Sequence, residues 1–469
     1  MMRPPSAASQ AEADRAARAA TLCCGLMIAS QVAGKATRDA LFLSNFPVSA
    51  LPIMLIVAAL FSIGTIAIVS RAQSTFGPGR TTPVAFGLSG FLLLLEWAVA
   101  LVAPKVAAVV VYLHTAVLGA VLISGFWSVV SERFDPRSAK KQIGRIGAGG
   151  TLGGLAGGLL AERVAAYTTV PSMLPVLAAL HIAAIPLLRS TRSSREEGSR
   201  PNEADNDRES APGESSGLEI LRRVPYLRNL SAVVLLGTTS AALIDYVFKA
   251  AAAGAISNGE SLMRFFAAFY TVVSLVTFLV QSAATRRFLE SFGLGRAVAS
   301  LPVVVAAGGS GALLLPGLAS AAAVRGLEAV CRSSLFRSGY ELLYTPISPR
   351  DKRAAKPIVD VGIDRAGDMI GGGLTRLIIL LPATVASPVL LVIAVLLSGA
   401  SVVASRRIPS AYVAALEGSL LTRAISLDLD EVEDRTTRTT LLHTLSGFHL
   451  LSDEPGPAAA PPPVGRGDE

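Results

Sequence analysis

Residues 71–80 read "RAQSTFGPGR" and residues 287–296 read "RFLESFGLGR", with Arg at each end and Phe-Gly-x-Gly-Arg at the close, 216 positions apart. A loop that returns once in this way marks two corresponding halves of a chain. Each copy follows the second of a series of long apolar runs. A helix of about 20 apolar residues crosses a hydrocarbon core of about 30 Å. Such runs lie at 19–38, 48–70, 82–103, 106–130, 144–165 and 169–188, and again at 230–253, 262–284, 298–318, 320–344, 356–380 and 384–404. Each Phe-Gly-x-Gly-Arg therefore joins the second and third spans of its own set of six. The expected fold is an all-α membrane protein with twelve transmembrane helices in two six-helix halves.

Composition agrees with this reading. Of the 469 residues 51% are hydrophobic, mean hydropathy is +0.54 and 16% are charged, well below the roughly 25% charged residues of soluble domains. Bases sort by loop, as expected where cytoplasmic loops accumulate Lys and Arg. One set of loops holds Arg71 and Arg80; Arg133, Arg137, Lys140 and Lys141; Arg286, Arg287 and Arg296; and Arg350, Lys352, Arg353 and Lys356. The alternate loops, "SNFPVSA", "YTTVPS", "ISNGES", "PGLAS" and "LPATVAS", hold none, and Lys105 is their one exception. Both termini are thus expected in the cytoplasm, and the abundance of Arg and Ala points to a bacterial inner membrane. The net charge of +8 follows from the same loop bias, so no nucleic-acid partner is implied. Cys23, Cys24 and Cys331 have no metal or disulfide spacing, and no small-residue cleavage site follows the first span, which is read as retained.

The polar segment "STRSSREEGSRPNEADNDRESAPGESSG" (190–217) cannot bury a core and reads as a disordered cytoplasmic linker. The chain then divides into a tail (1–18), a first six-helix half (19–189), the linker, a second half (218–405), and a cytoplasmic helical stub with a Pro-rich tail (406–469). The stub is a candidate surface for a cytoplasmic partner. Two six-helix halves are the architecture of major facilitator transporters, in which solute sits near the midplane and access alternates by rocking. "GAGGTLGGLAGG" (147–158) reads as a helix-packing surface, because small residues let helices approach closely in lipid.

A charge at the bilayer centre costs about 2.5 to 3.5 kcal/mol on insertion scales, so such residues usually face a cavity and pair. Span 1 carries Lys35, Arg38 and Asp39, and span 7 carries Asp245 and Lys249 one turn apart. Arg325, Glu328 and Arg332 share one face of span 10. Span 11 carries Asp360, Asp364 and Asp368 with Arg365 beside them, while Glu96 is the lone charge of span 3. Except for span 3, these helices take positions 1, 4 or 5 of their half, the cavity-lining positions of the architecture. Several cations in a low-dielectric cavity suit a polyanion, since Lys and Arg neutralise phosphate or carboxylate. Carboxylates on the same bases would hold them when the site is empty and release them to the solute.

Four stretches resemble the ATP/ADP translocase family, the nucleotide exchangers of intracellular bacteria and plastids: "GKATRDALF" (34–42), "FWSVVSERFDPRSAKKQIGRIG" (126–147), "DYVFK" (245–249) and "SLFRSGYELLYTPISPRDKRAAKPIVDVGIDRAGD" (334–368). The similarity covers roughly residues 18–405. It implies substrate contacts at Lys35, Glu132, Asp245 and Lys249. Where that family has Arg-x-Gly-Lys-Ser-Gly, this chain has Arg365, Ala366, Gly367 and Asp368, so an anion stands where a cation is expected.

The residues and the resemblance together predict a secondary transporter, not an enzyme, that exchanges nucleotides in ATP/ADP fashion without cofactor or metal. Lys35, Arg38, Glu132, Asp245, Lys249, Arg332 and Arg365 are the expected substrate-binding residues, and Asp39, Glu328, Glu341, Asp364 and Asp368 the expected gating or charge-pair residues. The alternatives are another organic anion or a proton-coupled metabolite as solute, and a membrane sensor or assembly factor that transports nothing.

Overall fold

A computed structural model describes residues 7–133, 136–191, 217–344, 346–347 and 349–425, without the side chains of residues 7–13, Glu132, 136–144, 217–218, Arg286, 349–350, 353–354, Ala383 and 418–425. These residues are helical almost throughout. The first half contains α1 (Ala7–Asn45), α2 (Leu51–Phe76), α3 (Pro78–Val102), α4 (Pro104–Arg133), α5 (Pro136–Tyr167) and α6 (Met173–Thr191). After α7 (Gly217–Arg223) come α8 (Pro225–Ala255), α9 (Gly259–Leu279), α10 (Thr285–Leu314), α11 (Leu318–Cys331), α12 (Arg337–Leu342), α13 (Pro349–Pro357), α14 (Asp364–Ile378), α15 (Ala383–Arg406) and α16 (Ile408–Ile425).

Among the described residues, nine helices are long and apolar enough to cross a membrane. Three further stretches complete the expected order of twelve: α5, α11 with α12, and α13 with α14. α5 is long but carries Arg and Lys along its first turns, and α11, α12, α13 and α14 are each too short to cross alone. The last two are also broken, as π-helical segments at Arg332–Phe336 and Ile358–Ile363 join their parts. Such segments often sit at functional positions, and here they lie beside the charges of spans 10 and 11.

The structure departs from the sequence reading at the end of span 1. The apolar run was expected to close at residue 38, but α1 continues to Asn45, which places Lys35, Arg38 and Asp39 inside the helix. Most of the 190–217 linker and everything beyond Ile425 lie outside the described residues. Residues 413–469 form a second unit, of which the described part is the continuation of α16.

Local chemistry sets the helix boundaries. Proline stands at the first position of α3, α4, α5 and α8, where its missing N–H loses no bond and its fixed φ suits a helix. Asn258 caps α9 by accepting the amide of Glu260 at 2.8 Å. The repeated loops also share a conformation. Gly77 and Gly293, the first glycines of the two Phe-Gly-x-Gly-Arg motifs, have φ of 75° and 74°, a region costly for residues with a Cβ.

Because consecutive spans run antiparallel, the starts of α1 and α8 lie at one face of the bundle, here the terminal face. The ends of α1, α3, α5, α8 and α10 lie at the opposite, distal face. Within the first half α1 packs on α4, α5 and α6; in the second, α15 packs on α8 and α10. Between the halves α5 packs on α9 and α2 on α14. In the twelve-span count these are spans 5 with 8 and 2 with 11, and exchanging the halves turns one pairing into the other.

The glycine-rich stretch of α5 makes this packing possible. A Cβ built on Gly149, Gly153 or Gly157 would lie 2.5, 2.0 or 2.3 Å from the carbonyl oxygens of Thr21, Gly25 and Ala29 of α1. The two backbones therefore touch along residues spaced by four, the geometry that small residues permit in lipid. On the other face of α5, a Cβ at Gly158 would lie 1.5 Å from Thr271 Oγ1 of α9.

Candidate functional site

Asp39, two turns before the distal end of α1, is fully buried and gathers three helices around its carboxylate. Arg38 donates to Oδ1 through Nε at 2.8 Å, and Lys249 Nζ of α8 lies 3.2 Å from the same oxygen. The Tyr270 hydroxyl of α9 donates to Oδ2 at 2.6 Å. The Arg38 guanidinium also lies 5.0 Å from the centre of the Tyr112 ring of α4, a cation–π contact.

From Lys249 the pairing continues through the second half. Lys249 Nζ lies 2.8 Å from Asp245 Oδ2, and Arg325 Nε donates to Asp245 Oδ1 at 2.8 Å. Arg325 Nη1 donates to Glu328 Oε2 at 2.5 Å, and Arg332 Nε donates to Glu328 Oε1 at 2.6 Å. Arg332 Nη2 ends the series on the Gly237 carbonyl at 2.9 Å. Cation and carboxylate thus alternate from Arg38 through Asp39, Lys249, Asp245, Arg325 and Glu328 to Arg332. Four cations meet three carboxylates, leaving one net positive charge.

Alternation is what low dielectric requires, since a buried charge without a partner is far more costly than a buried pair. Lys35 is the exception. It stands one turn before Arg38 on the same face of α1, is exposed, and makes no ion pair or hydrogen bond among the described residues.

Three polar contacts join the halves: Asp39 with Lys249, Asp39 with Tyr270, and Glu162 with Arg264 at 3.0 Å. All three lie in the distal part of the bundle. The halves are therefore latched on that side.

The other expected residues fall into separate groups. On α14, Arg365 Nη1 donates to Asp368 Oδ2 at 2.7 Å, and Asp364 accepts from Thr238 of α8 at 2.7 Å. Arg365 and Asp368 thus neutralise one another beside the chain. Glu341 lies nearer the terminal face, where Arg337 and Lys356 pair with it at 2.7 and 3.2 Å. Lys356 also pairs with Asp360, which accepts a short hydrogen bond from Tyr340. The side chain of Glu132 lies outside the described residues.

Sequence reasoning missed both tyrosines, because an aromatic residue in an apolar span gives no sign that its ring or hydroxyl faces a charge. It also left Glu96 isolated. In the structure Glu96 Oε1 lies 2.7 Å from His114 Nδ1, and the contacts continue through Ser89 and His181 to Ser30. The two histidines sit within apolar runs with no motif around them.

Neither a protein-family model nor a curated relative matches the sequence. Solved structures do. A variant of the nucleoside transporter NupG superposes with a TM-score of 0.60 at 12% identity, covering 85% of this chain and 99% of that one. A POT family transporter in complex with a thioalcohol-conjugated peptide gives 0.58 at 12% identity, covering 84% and 97%. At such identities the likeness concerns fold alone, and it extends over nearly the whole of each transporter. The chain has the fold of the major facilitator transporters.

Proposed function

We propose that this protein is a secondary transporter that exchanges a nucleotide, or a related phosphate-bearing anion, across a bacterial inner membrane with both termini in the cytoplasm. One observation carries the reading: Lys35 is exposed and unpaired beside an ion-pair chain that already has a surplus positive charge. Phosphate on Lys35 and Arg38 would compete with Asp39 for Arg38. Weakening Asp39 weakens its hold on Lys249 and Tyr270, and so the latch between the halves. Solute binding and opening of the distal side are then one equilibrium, because a ligand shifts a conformational balance only through contacts that differ between the states.

In this reading Lys35, Arg38, Lys249 and Arg332 meet the solute, and Asp39, Asp245 and Glu328 hold the cations in its absence. The resemblance to nucleotide exchangers supports a nucleotide as the solute. Asp368 favours a second reading, in which the same fold moves a different organic anion, because the Arg365–Asp368 pair neutralises a base that a triphosphate would use.

Uptake of labelled ATP into proteoliposomes distinguishes the two. Uptake that requires ADP inside supports exchange. Absence of ATP uptake, with uptake of a dicarboxylate or sugar phosphate instead, overturns the nucleotide reading.

A further inference from the structure

Five buried polar side chains in the first half form a hydrogen-bonded chain apart from the ion pairs. Glu96 on α3 meets His114 Nδ1 on α4 at 2.7 Å, and His114 Nε2 lies 2.7 Å from Ser89 Oγ. Ser89 Oγ lies 3.0 Å from His181 Nδ1 on α6, and His181 Nε2 lies 3.1 Å from Ser30 Oγ on α1. All five are less than 9% exposed. Ser30 Oγ also donates to the Met27 carbonyl at 2.8 Å.

That last bond fixes the direction of the others. A carbonyl only accepts, so the Ser30 hydroxyl hydrogen is committed to Met27 and its oxygen must accept from His181 Nε2–H. Neutral His181 then has a bare Nδ1, which accepts from the Ser89 hydroxyl, and Ser89 in turn accepts from His114 Nε2–H. Nδ1 of a neutral His114 would be bare as well. It faces a carboxylate oxygen at 2.7 Å, and two lone pairs at that distance repel. One proton must therefore lie between Glu96 and His114, as a carboxylic acid on a neutral ring or as a carboxylate on an imidazolium.

A second arrangement keeps the four contacts from Glu96 to Ser30 with one proton fewer, giving up the Ser30–Met27 bond. The Ser30 hydroxyl turns from Met27 to His181 Nε2, His181 Nδ1–H donates to Ser89, Ser89 donates to His114 Nε2, and His114 Nδ1–H donates to a Glu96 carboxylate. Each hydrogen moves one place, and the proton lost at Glu96 leaves at the Ser30 end. There a cavity of about 30 Å³ is lined by Ser30, Ser89, His114, His181, Gln31 and Lys35, room for a water that could take the proton. Its lining reaches the exposed Lys35. Glu96 lies six residues from the distal end of α3 and Ser30 fifteen from that of α1, so the chain spans depths of ~9 to ~22 Å at 1.5 Å per residue.

We propose that Glu96 and His114 form an internal proton-binding site, and that Ser89, His181 and Ser30 carry its proton to the water-sized cavity beside Lys35. The inference does not depend on which solute the protein carries. Of the helices packed against the site, α1 contributes Lys35, α3 Glu96 and α6 His181, while α2 has no ionisable residue from Leu51 to Ser70. Glu96 Oε2 is buried without a partner. A permanent carboxylate would leave that oxygen costly, whereas a neutral carboxyl would relieve it.

The test uses the full chain in lipid, with protons as the probe. Titration across the pH range in which the protein stays folded should show wild type taking up one proton more per chain than Glu96→Gln, whose amide can still donate to His114. Equal uptake overturns the site. After a pH jump followed with a dye, Ser89→Ala, which removes no charge, should keep the uptake but slow it about tenfold by removing a hydrogen-bonded step. Unchanged kinetics overturn the path. Should Glu96→Gln not fold, Glu96→Met takes its place in the proton count.

Discussion

Lys249 of α8 lies 3.2 Å from Asp39 of α1 and 2.8 Å from Asp245 one turn earlier on its own helix. One ammonium thus holds a carboxylate in each half. Together with the Tyr270 hydroxyl on Asp39, it brings two of the polar contacts between the halves onto one carboxylate. The two acids it bridges are not equivalent, and the difference can be measured.

Asp39→Asn leaves Lys249 and Arg38 short of a buried partner, a loss of about 3 to 5 kcal/mol. Asp245→Asn should cost less, because Lys249 keeps Asp39 and Arg325 keeps Glu328. Thermal melts in detergent give the order. Spin labels across the distal ends of α1 and α8 should report a wider distribution of distances in Asp39→Asn than in Asp245→Asn.

Lys35 has no partner to lose, so Lys35→Gln should melt within about 0.5 kcal/mol of wild type. If Lys35 meets phosphate, the same change weakens ATP binding by roughly tenfold or more, the worth of a hydrogen bond to a charged group. Calorimetry on the purified protein gives both values. Unchanged affinity would make Lys35 a solvated bystander.

Glu162 and Arg264 are partly exposed, so Glu162→Gln should change stability by no more than about 1 kcal/mol. Its effect on access should be larger. A maleimide reaching a cysteine at Ser44 from the distal side should react faster in this variant, and an unchanged rate would remove the pair from the latch.

Gly153→Leu places a side chain where a Cβ alone would lie 2.0 Å from the Gly25 carbonyl oxygen. The helices must separate, and little folded protein should elute on size exclusion. Gly147→Ala has nothing within 4 Å of the new Cβ and should be neutral.

Gly77→Ala and Gly293→Ala meet no atom within 4 Å but hold φ of 75° and 74°. Each should lose about 1 to 2 kcal/mol from conformation alone. Matching losses would show that the two loops of the repeat do the same structural work.

The spans, the two halves and the helices that carry charge were legible in the sequence, because each follows from properties carried along one stretch of chain. Crossing a bilayer demands a length of apolar residues, and a charge within it stands out without knowledge of its neighbours. The pairs of Asp245 with Lys249 and Glu328 with Arg332 were legible for the same reason, since a spacing of four on one helix fixes their meeting. The contact surface of α5 was visible as glycines at 149, 153 and 157, although its partner on α1 was not.

Which charge meets which across helices was decided by the tertiary structure. Lys35 and Lys249 look alike in the sequence, each four residues from an aspartate, yet Lys249 is buried between two carboxylates and Lys35 is left exposed and unpaired. The difference arises from the depth and rotation at which α1, α8 and α9 pack, and these depend on side chains throughout the interface. His114 and His181 were hidden for the same reason. Their partners stand 18 and 151 positions away in the chain, and only the packing of four helices brings them within the reach of a hydrogen bond.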